Sequence, residues 1–129
     1  GDIKKEGTDV TIIAYGAMVQ QALEASNMLE KEGVSAEVLD PRTILPLDEE
    51  IILKSVEKTG KVVIVHEAPV TGGFGGEIAA LLADKGLDFL EAPVKRVGAH
   101  FCPVPSSPEM EKFYLPDATK IVTAIREIL

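Results

Sequence analysis

A chain of 129 residues is long enough for one domain with a single core, and 46% of its residues are hydrophobic while 26% are charged. This composition excludes a disordered polar chain. The formal net charge of −8, without a basic stripe interleaved with aromatic residues, argues against a nucleic-acid ligand and favours basic partners. The single cysteine, Cys102, excludes an internal disulfide and is typical of a reducing compartment. No apolar stretch reaches the roughly 18 residues of a membrane span.

The first eight residues, GDIKKEGT, are polar and charged, and they lead into an apolar run. We interpret residues 1–8 as a linker that follows a separate N-terminal domain. Residues 9–129 are then expected to form the domain itself.

Apolar runs of strand length alternate with helical patterns along the rest of the chain. The predicted strands are residues 10–15, 34–40, 61–65 and 94–99, and the last is more polar, which favours an edge position. The predicted helices are residues 17–32, 49–58, a segment that ends near residue 85, and 117–129. Three prolines predict a loop over residues 100–108, and a short helical turn is expected at 109–114.

Capping residues support these boundaries. Asp48 and Asp117 are good N-caps, and Gly33 and Gly60 stand where helices are expected to stop. Strands that alternate with helices imply right-handed crossovers and a mostly parallel sheet. The predicted fold is therefore a three-layer, Rossmann-like α/β domain, with about five strands in the sheet and helices on both of its faces.

A glycine-rich turn follows the third predicted strand, in the segment HEAPVTGGFGGEIAALLADKG. Two registers of the dinucleotide fingerprint fail here, because Phe74 and Ile78 stand where glycine or alanine is required. A P-loop needs a lysine after its last glycine, and Glu77 stands there instead, where it would repel a phosphate. We predict that these glycines allow close packing of a helix, a strand or another subunit; the residues are Gly72, Gly73, Gly75 and Gly76. A nucleotide site is the alternative.

Other candidate residues give weaker signals. A zinc site formed by His66, His100 and Cys102 is conceivable, although their spacing matches no recognised ligand pattern. Arg42 is expected to form an ion pair with Asp40 or Asp48 near a strand end, and its guanidinium could equally hold a neighbouring domain or subunit. The residues alone show no catalytic constellation.

Five ordered motifs cover nearly the whole chain and resemble one family. These motifs occur in the same order in the C-terminal domain of the β subunit of 2-oxo acid dehydrogenase E1 components, which the chain therefore resembles. Such components are of the pyruvate, branched-chain or acetoin type and fall within the transketolase superfamily. The motifs are GTDVTIIAYGAMV, LEKEGVSAEVLDPRTILPLD, SVEKTGKVVIVHEAPVTGGFGGEIAA, LEAPVKRVGA and FYLPDATKIVTAI. In one place the chain departs from the pattern, because His100 stands where relatives often carry aspartate.

The resemblance implies a role in assembly and docking. In this family thiamine diphosphate and magnesium bind between the α subunit and the N-terminal domain of β, so this domain is expected to bind no cofactor and to have no catalytic or metal-binding residue of its own. The holoenzyme decarboxylates a 2-oxo acid and transfers the acyl group to the lipoyl arm of E2. The expected partners are the E1 α subunit, a second β subunit and the E2 subunit-binding domain, in the cytoplasm or the mitochondrial matrix. Neither nucleic acid nor a membrane is expected as a partner.

Two residues are carried over as acidic docking groups for E2. Glu91, in the motif LEAP, matches the family position that offers an acid, and the α-carboxylate of Leu129 stands at the family's docking C-terminus. Two alternatives are a free-standing α/β domain that binds a small molecule or nucleotide as a regulator, and the matching domain of transketolase.

Overall fold

The computed structural model describes residues 1–43, 46–69, 74–99 and 115–129. Within these ranges the chain forms five strands, four α-helices and a short 3-10 helix at Leu87–Phe89. In chain order the strands and α-helices are β1 (Asp2–Lys5), β2 (Val10–Ala14), α1 (Met18–Glu30), β3 (Ala36–Asp40), α2 (Glu49–Thr59), β4 (Val62–Pro69), α3 (Gly75–Lys85), β5 (Lys95–Ala99) and α4 (Ala118–Arg126). The predicted loop at 100–108 and the turn at 109–114 lie outside the described residues.

The strands form one sheet in the order β1-β3-β2-β4-β5. All neighbouring pairs are parallel except β1 and β3, which are antiparallel. The mostly parallel sheet of about five strands is thereby confirmed, as is the edge position of β5. From β2 the chain moves outward to β3, and from β4 it moves outward to β5 on the other side. The topological switch point, where ligands bind in many such sheets, therefore lies between the carboxyl ends of β2 and β4.

Helices cover both faces of the sheet, which confirms the three-layer prediction. On one face, Leu29 of α1 and Ile121 and Ile125 of α4 are fully buried against alternate residues of the central strands. On the other face, Ile52 of α2 and Ile78 of α3 are fully buried in a second cluster. Each helix has one apolar stripe, and the burial of that stripe holds the helix on the sheet. Burying each large aliphatic side chain stabilises the fold by about 1.5–3 kcal/mol.

Residues 2–5 form an edge strand, where the sequence predicted a linker. In β1, Asp2 pairs with Asp40 and Ile3 with Leu39, and Ile3 packs against the second core cluster. The segment is charged because one side of an edge strand faces solvent, so composition alone did not distinguish it from a linker. That an upstream domain precedes these residues stays a prediction.

The capping predictions are confirmed. The Asp48 carboxylate accepts the backbone N–H of Ile51 at 3.3 Å, and the Asp117 carboxylate accepts that of Lys120 at 2.9 Å. Gly60 ends α2 with a φ of 74°, in the left-handed region that glycine adopts without strain. Strand β4 runs past its predicted end at residue 65, so the first residues of the glycine-rich motif belong to the strand.

Candidate functional site

His66 and Tyr15 lie side by side at the switch point, on what we call the carboxyl edge of the sheet. His66 is in β4 and is 1% exposed, and Tyr15 directly follows β2. Their rings are stacked, with centroids 6.3 Å apart and planes inclined by 27°. Burial raises the pKa of the Tyr15 phenol above its ordinary value of 10.0, because the charged phenolate would lose its hydration. Both side chains are therefore part of the packed interior at this edge.

Gly75 allows α3 to approach His66. A Cβ atom at Gly75 would lie 2.6 Å from His66 Nε2, which is closer than real Cβ atoms come, and 3.3 Å from Ile64 Cγ2, which is a tight contact. At Gly76 a Cβ would meet, among the described residues, only the end of the Arg96 side chain, 3.2 Å away. The prediction of close packing is thus supported most strongly at Gly75. Gly72 and Gly73 lie outside the described residues.

The described start of α3 does not suit a diphosphate. The space that Gly75 leaves is occupied by the imidazole of His66, and Glu77 adds a negative charge in the first turn of the helix. A phosphate needs open backbone N–H groups and a positive helix end free of acids. The described start of α3 is therefore unfavourable for a phosphate group.

Arg42 does not form the ion pair that its sequence context predicted. Its guanidinium makes no ion pair with Asp40 or Asp48, all three of which lie in the described ranges. Instead, the backbone N–H of Arg42 donates to Asp40 Oδ1 at 2.8 Å, which stabilises a tight turn where Arg42 has a φ of 65°. Asp48 instead caps α2. Arg42 is exposed, and its role at a subunit or domain interface stays a prediction.

Glu91 lies at the opposite edge, where the parallel strands begin; we call this the amino edge. Its side chain is 65% exposed, and its carboxylate is 3.6 Å from Lys61 Nζ. The backbone N–H of Glu91 donates to the Gly60 carbonyl oxygen at 2.8 Å, and its side chain lies over Gly60. Glu91 is therefore held at the end of α2, with its carboxylate facing water.

Leu129 lies at the same edge as Glu91. The preceding residue, Ile128, is buried in the core, whereas Leu129 is 53% exposed. Glu127 pairs at 3.0 Å with Lys95, the first residue of β5, which fixes the end of α4 beside the start of that strand. The structure thus brings the two predicted docking groups to one edge of the sheet.

A buried polar network at the amino edge was not predicted from the sequence. Glu37 of β3 is 1% exposed; its Oε2 accepts the Ser55 hydroxyl at 2.5 Å, and its Oε1 accepts the Gly7 backbone N–H at 3.3 Å. The Ser55 and Thr59 hydroxyls each lie 2.7 Å from Thr11 Oγ1. The detectable signal was a polar residue within each apolar pattern, namely Thr11 in β2 and Glu37 in β3.

Lys58 provides the cation for this network. Its ammonium donates to Glu37 Oε1 and lies 3.3 Å from Glu6 Oε2. The hydrogen bond to Glu37 is the main reason why the pKa of Lys58 is raised above its ordinary value of 10.5. Gly7 completes the arrangement, because a Cβ there would lie 2.3 Å from the Ala36 carbonyl carbon. The network therefore attaches the turn that joins β1 to β2 onto strand β3 and helix α2.

Two clefts are lined by described residues. One has a volume of about 310 Å³ and lies between β1 and the end of α1, with polar residues such as Lys5 and Glu30 on its wall. The other has a volume of about 740 Å³ and lies between α3 and the turn before α2. In the described parts of the chain, no three His, Cys, Asp or Glu side chains are grouped as a metal site. His100 and Cys102, two of the three residues in the zinc hypothesis, lie outside those parts.

No helix in the described ranges is both long and apolar enough to cross a membrane.

The profile of the transketolase C-terminal domain matches residues 1–121. The chain therefore belongs to the transketolase C-terminal domain family. This agrees with the three-layer fold and confirms the family that the five sequence motifs indicated.

Named relatives are more specific. The chain is 51% identical over 128 residues to the beta subunit of acetoin:2,6-dichlorophenolindophenol oxidoreductase of Bacillus subtilis (strain 168). This match covers 99% of this chain and 37% of the relative. It is 43% identical over 128 residues to the 2-oxoisovalerate dehydrogenase subunit beta of the same bacterium, with 98% and 39% covered. A solved split gene transketolase, an inactive beta4 tetramer, superposes with a TM-score of 0.88 at 37% identity and covers 99% of this chain and 41% of that one.

The chain thus spans about two fifths of the length of the proteins it matches, between 37% and 41%.

Proposed function

We propose that this chain is the assembly and partner-docking domain of the β subunit of a 2-oxo acid dehydrogenase E1 component. The observation that supports this most directly is the identity of 43% and 44% to the β subunits of a 2-oxoisovalerate dehydrogenase and a pyruvate dehydrogenase E1 component, over 98–99% of the chain. The β subunit of the acetoin oxidoreductase, at 51% identity, is a further relative. The transketolase alternative has weaker support, because the solved split gene transketolase is 37% identical to this chain. Because relatives occur in bacteria and in mitochondria, the site of action is the cytoplasm or the mitochondrial matrix.

In this proposal the chemistry is performed outside the domain. The holoenzyme decarboxylates a 2-oxo acid and acylates the lipoyl group of E2, and thiamine diphosphate with magnesium, bound outside this domain, would supply the nucleophile for that reaction. The packing of His66 at Gly75 and the acid Glu77 make the described start of α3 unfavourable for the diphosphate of that cofactor. The contribution of the domain is to join the β subunit to an α subunit and to a second β subunit. The residues proposed for these contacts are Arg42, Gly72, Gly73, Gly75 and Gly76.

The proposed E2 contact uses the acids of the amino edge. Glu91 and the α-carboxylate of Leu129 are exposed and close to the same strand ends, which suits a partner that presents Lys or Arg. The ion pair with Lys61 is loose at 3.6 Å, so a guanidinium from a partner can compete for Glu91. Single exposed ion pairs contribute little, so several must act together, and binding should weaken with salt.

The test is a titration of the E2 subunit-binding domain into the complete E1 assembly that carries this domain, at low and high salt. We expect Glu91→Lys to weaken binding by about tenfold or more, through lost attraction and new repulsion. Glu24→Lys is the matched control, because Glu24 is an exposed acid on α1 and the change in charge is the same. Binding that is indifferent to salt and to Glu91→Lys would show that the E2 contact is elsewhere.

A second experiment tests the larger proposal independently. The reading frame upstream of Gly1 should encode the N-terminal part of an E1 β subunit, with the sequence that binds the cofactor. A frame that encodes an unrelated domain would contradict the proposed function, whatever the docking titration shows.

A further inference from the structure

The larger cleft combines an apolar floor with the outer face of α3. Leu47, Phe74 and Leu81 line it; each is partly exposed, and each also packs against the buried core cluster on this face. The inner side of these side chains is therefore fixed by the core, and the outer side remains accessible. At about 740 Å³ the cleft has room for several apolar side chains of a partner.

Acidic residues alternate with the apolar ones along this helix. Phe74, Glu77, Leu81 and Asp84 follow one another at intervals of three and four residues, which places them on one face of a helix. Within the described ranges, neither Glu77 nor Asp84 forms an ion pair. The face thus presents two carboxylates without a described ion pair beside its apolar side chains.

The other described residues of the rim do not neutralise these charges. Among the described residues that line the cleft, Lys85 is the single basic one, and its ammonium is bonded to Glu49 at 3.0 Å. The three acids and one base among these residues give a net charge of −2. An apolar surface with this rim is complementary to an amphipathic segment that carries Lys or Arg beside its apolar side chains.

We propose that this cleft is a docking site for a basic amphipathic segment of a different polypeptide. Its apolar side chains cover Phe74 and Leu81, and its Lys or Arg side chains pair with Glu77 and Asp84. A second copy of this chain is disfavoured as the occupant, because each copy has a formal net charge of −8 and would bring further acids to an acidic rim. The site is separate from the contact proposed for Glu91, which does not line the cleft.

The test uses the 129-residue chain with ¹⁵N label and a capped amphipathic peptide of Leu and Lys as the probe. We expect amide shifts on titration to concentrate in α3 and around Leu47. The double variant Glu77→Lys/Asp84→Lys, and separately Ala80→Arg at an exposed position of the wall, should each weaken binding by at least tenfold. Glu24→Lys, on the opposite face of the sheet, is the control and should have little effect. Glu91→Lys should also leave this binding unchanged, so failure here and failure of the E2 contact are distinguishable.

Several outcomes would overturn the proposal. Shifts spread over all acidic surfaces, or a loss with Glu24→Lys equal to that with the α3 variants, would mean that the peptide is attracted by net charge alone. Equal affinity for a peptide in which every Leu is replaced by Ser would exclude the apolar floor as a contact. Self-association in sedimentation that Ala80→Arg abolishes would identify a second copy as the occupant, which also contradicts the proposal.

Discussion

The carboxyl edge and the amino edge, at the two ends of the strands, are stabilised by different kinds of interaction. At the carboxyl edge, α3 lies so close to β4 that the imidazole of His66 fills the space left by Gly75. At the amino edge, a buried carboxylate, three hydroxyl groups and an ammonium are joined through Glu37, and ion pairs surround them at the surface. Close steric packing stabilises the carboxyl edge, whereas hydrogen bonds and ion pairs stabilise the amino edge.

This difference indicates how each edge can respond to a partner. A tightly packed edge tolerates no added volume and little change in position. An edge held by exposed ion pairs can exchange one counter-charge for another at small cost, as Lys61 and Glu91 illustrate. The amino edge is therefore suited to docking a charged partner, and the carboxyl edge to a permanent contact.

The largest expected effect comes from removing the cation of the buried network. Lys58→Met leaves the carboxylate of Glu37 buried without its counter-charge. Because the Lys58 side chain is 40% exposed, we expect a loss of about 3 kcal/mol, the lower end of the range for breaking a buried pair. The measurement is the free energy of unfolding in urea.

Two further variants sharpen this test. Glu37→Gln combined with Lys58→Met removes both charges and keeps an amide that can accept from Ser55, so stability should return to within about 1 kcal/mol of the wild type. Lys54→Met breaks an exposed pair with Glu50 on the same helix and should cost about 1 kcal/mol or less. Equal losses for Lys58→Met and Lys54→Met would show that the buried network is not held by charge.

A smaller effect is expected from adding one methyl group at the carboxyl edge. Gly75→Ala forces His66 or α3 to move and should cost about 1–3 kcal/mol, as overpacking of a core does. Gly76→Ala is the matched control; among the described residues its new methyl meets only the end of Arg96, so it should be neutral or stabilise the helix by up to about 1 kcal/mol. Thermal unfolding of both variants measures the difference. Similar stability for the two would contradict a steric role for Gly75.

The layered fold was predictable because its signals are local. The apolar runs of β2 and β3 are buried on both faces, and Asp48, Gly60 and Asp117 mark helix ends through contacts within a few residues. Strand β1 was missed because its charged residues carry no apolar pattern, and pairing with β3 makes it a strand.

The sites were less predictable because they depend on register and on exposure. Thr11, Glu37 and Ser55 are far apart in sequence and meet only because β2, β3 and α2 are placed side by side. The three-and-four spacing of Phe74, Glu77 and Leu81 was visible, but it does not show that this side of α3 borders a cleft. For Arg42, the sequence indicated an interaction with the nearby Asp40. It did not indicate that the backbone N–H of Arg42, rather than its guanidinium, binds this carboxylate.

The smallest of the three effects is expected from alkaline pH. The pKa of Lys58 is raised in the folded chain, chiefly by its hydrogen bond to Glu37. The folded state therefore holds this proton more tightly than the unfolded state does. The resulting stability is fully present below the unfolded pKa, which is 10.5, and is lost as pH rises through the higher folded value. Only part of the Lys58 population loses its proton in the accessible range, so the loss should be smaller than that caused by Lys58→Met.

The measurement is urea unfolding from about pH 9 to about pH 11, in the wild type and in the double variant Glu37→Gln/Lys58→Met. Tyr15, whose pKa is also raised, contributes a loss of the same sign to both proteins and cancels in the comparison. The wild type should therefore lose stability more steeply than the double variant over this interval. Parallel curves for the two proteins would mean that the ammonium of Lys58 does not stabilise the amino edge. The hydroxyl groups of the buried network and the backbone contacts would then hold Glu37 without Lys58.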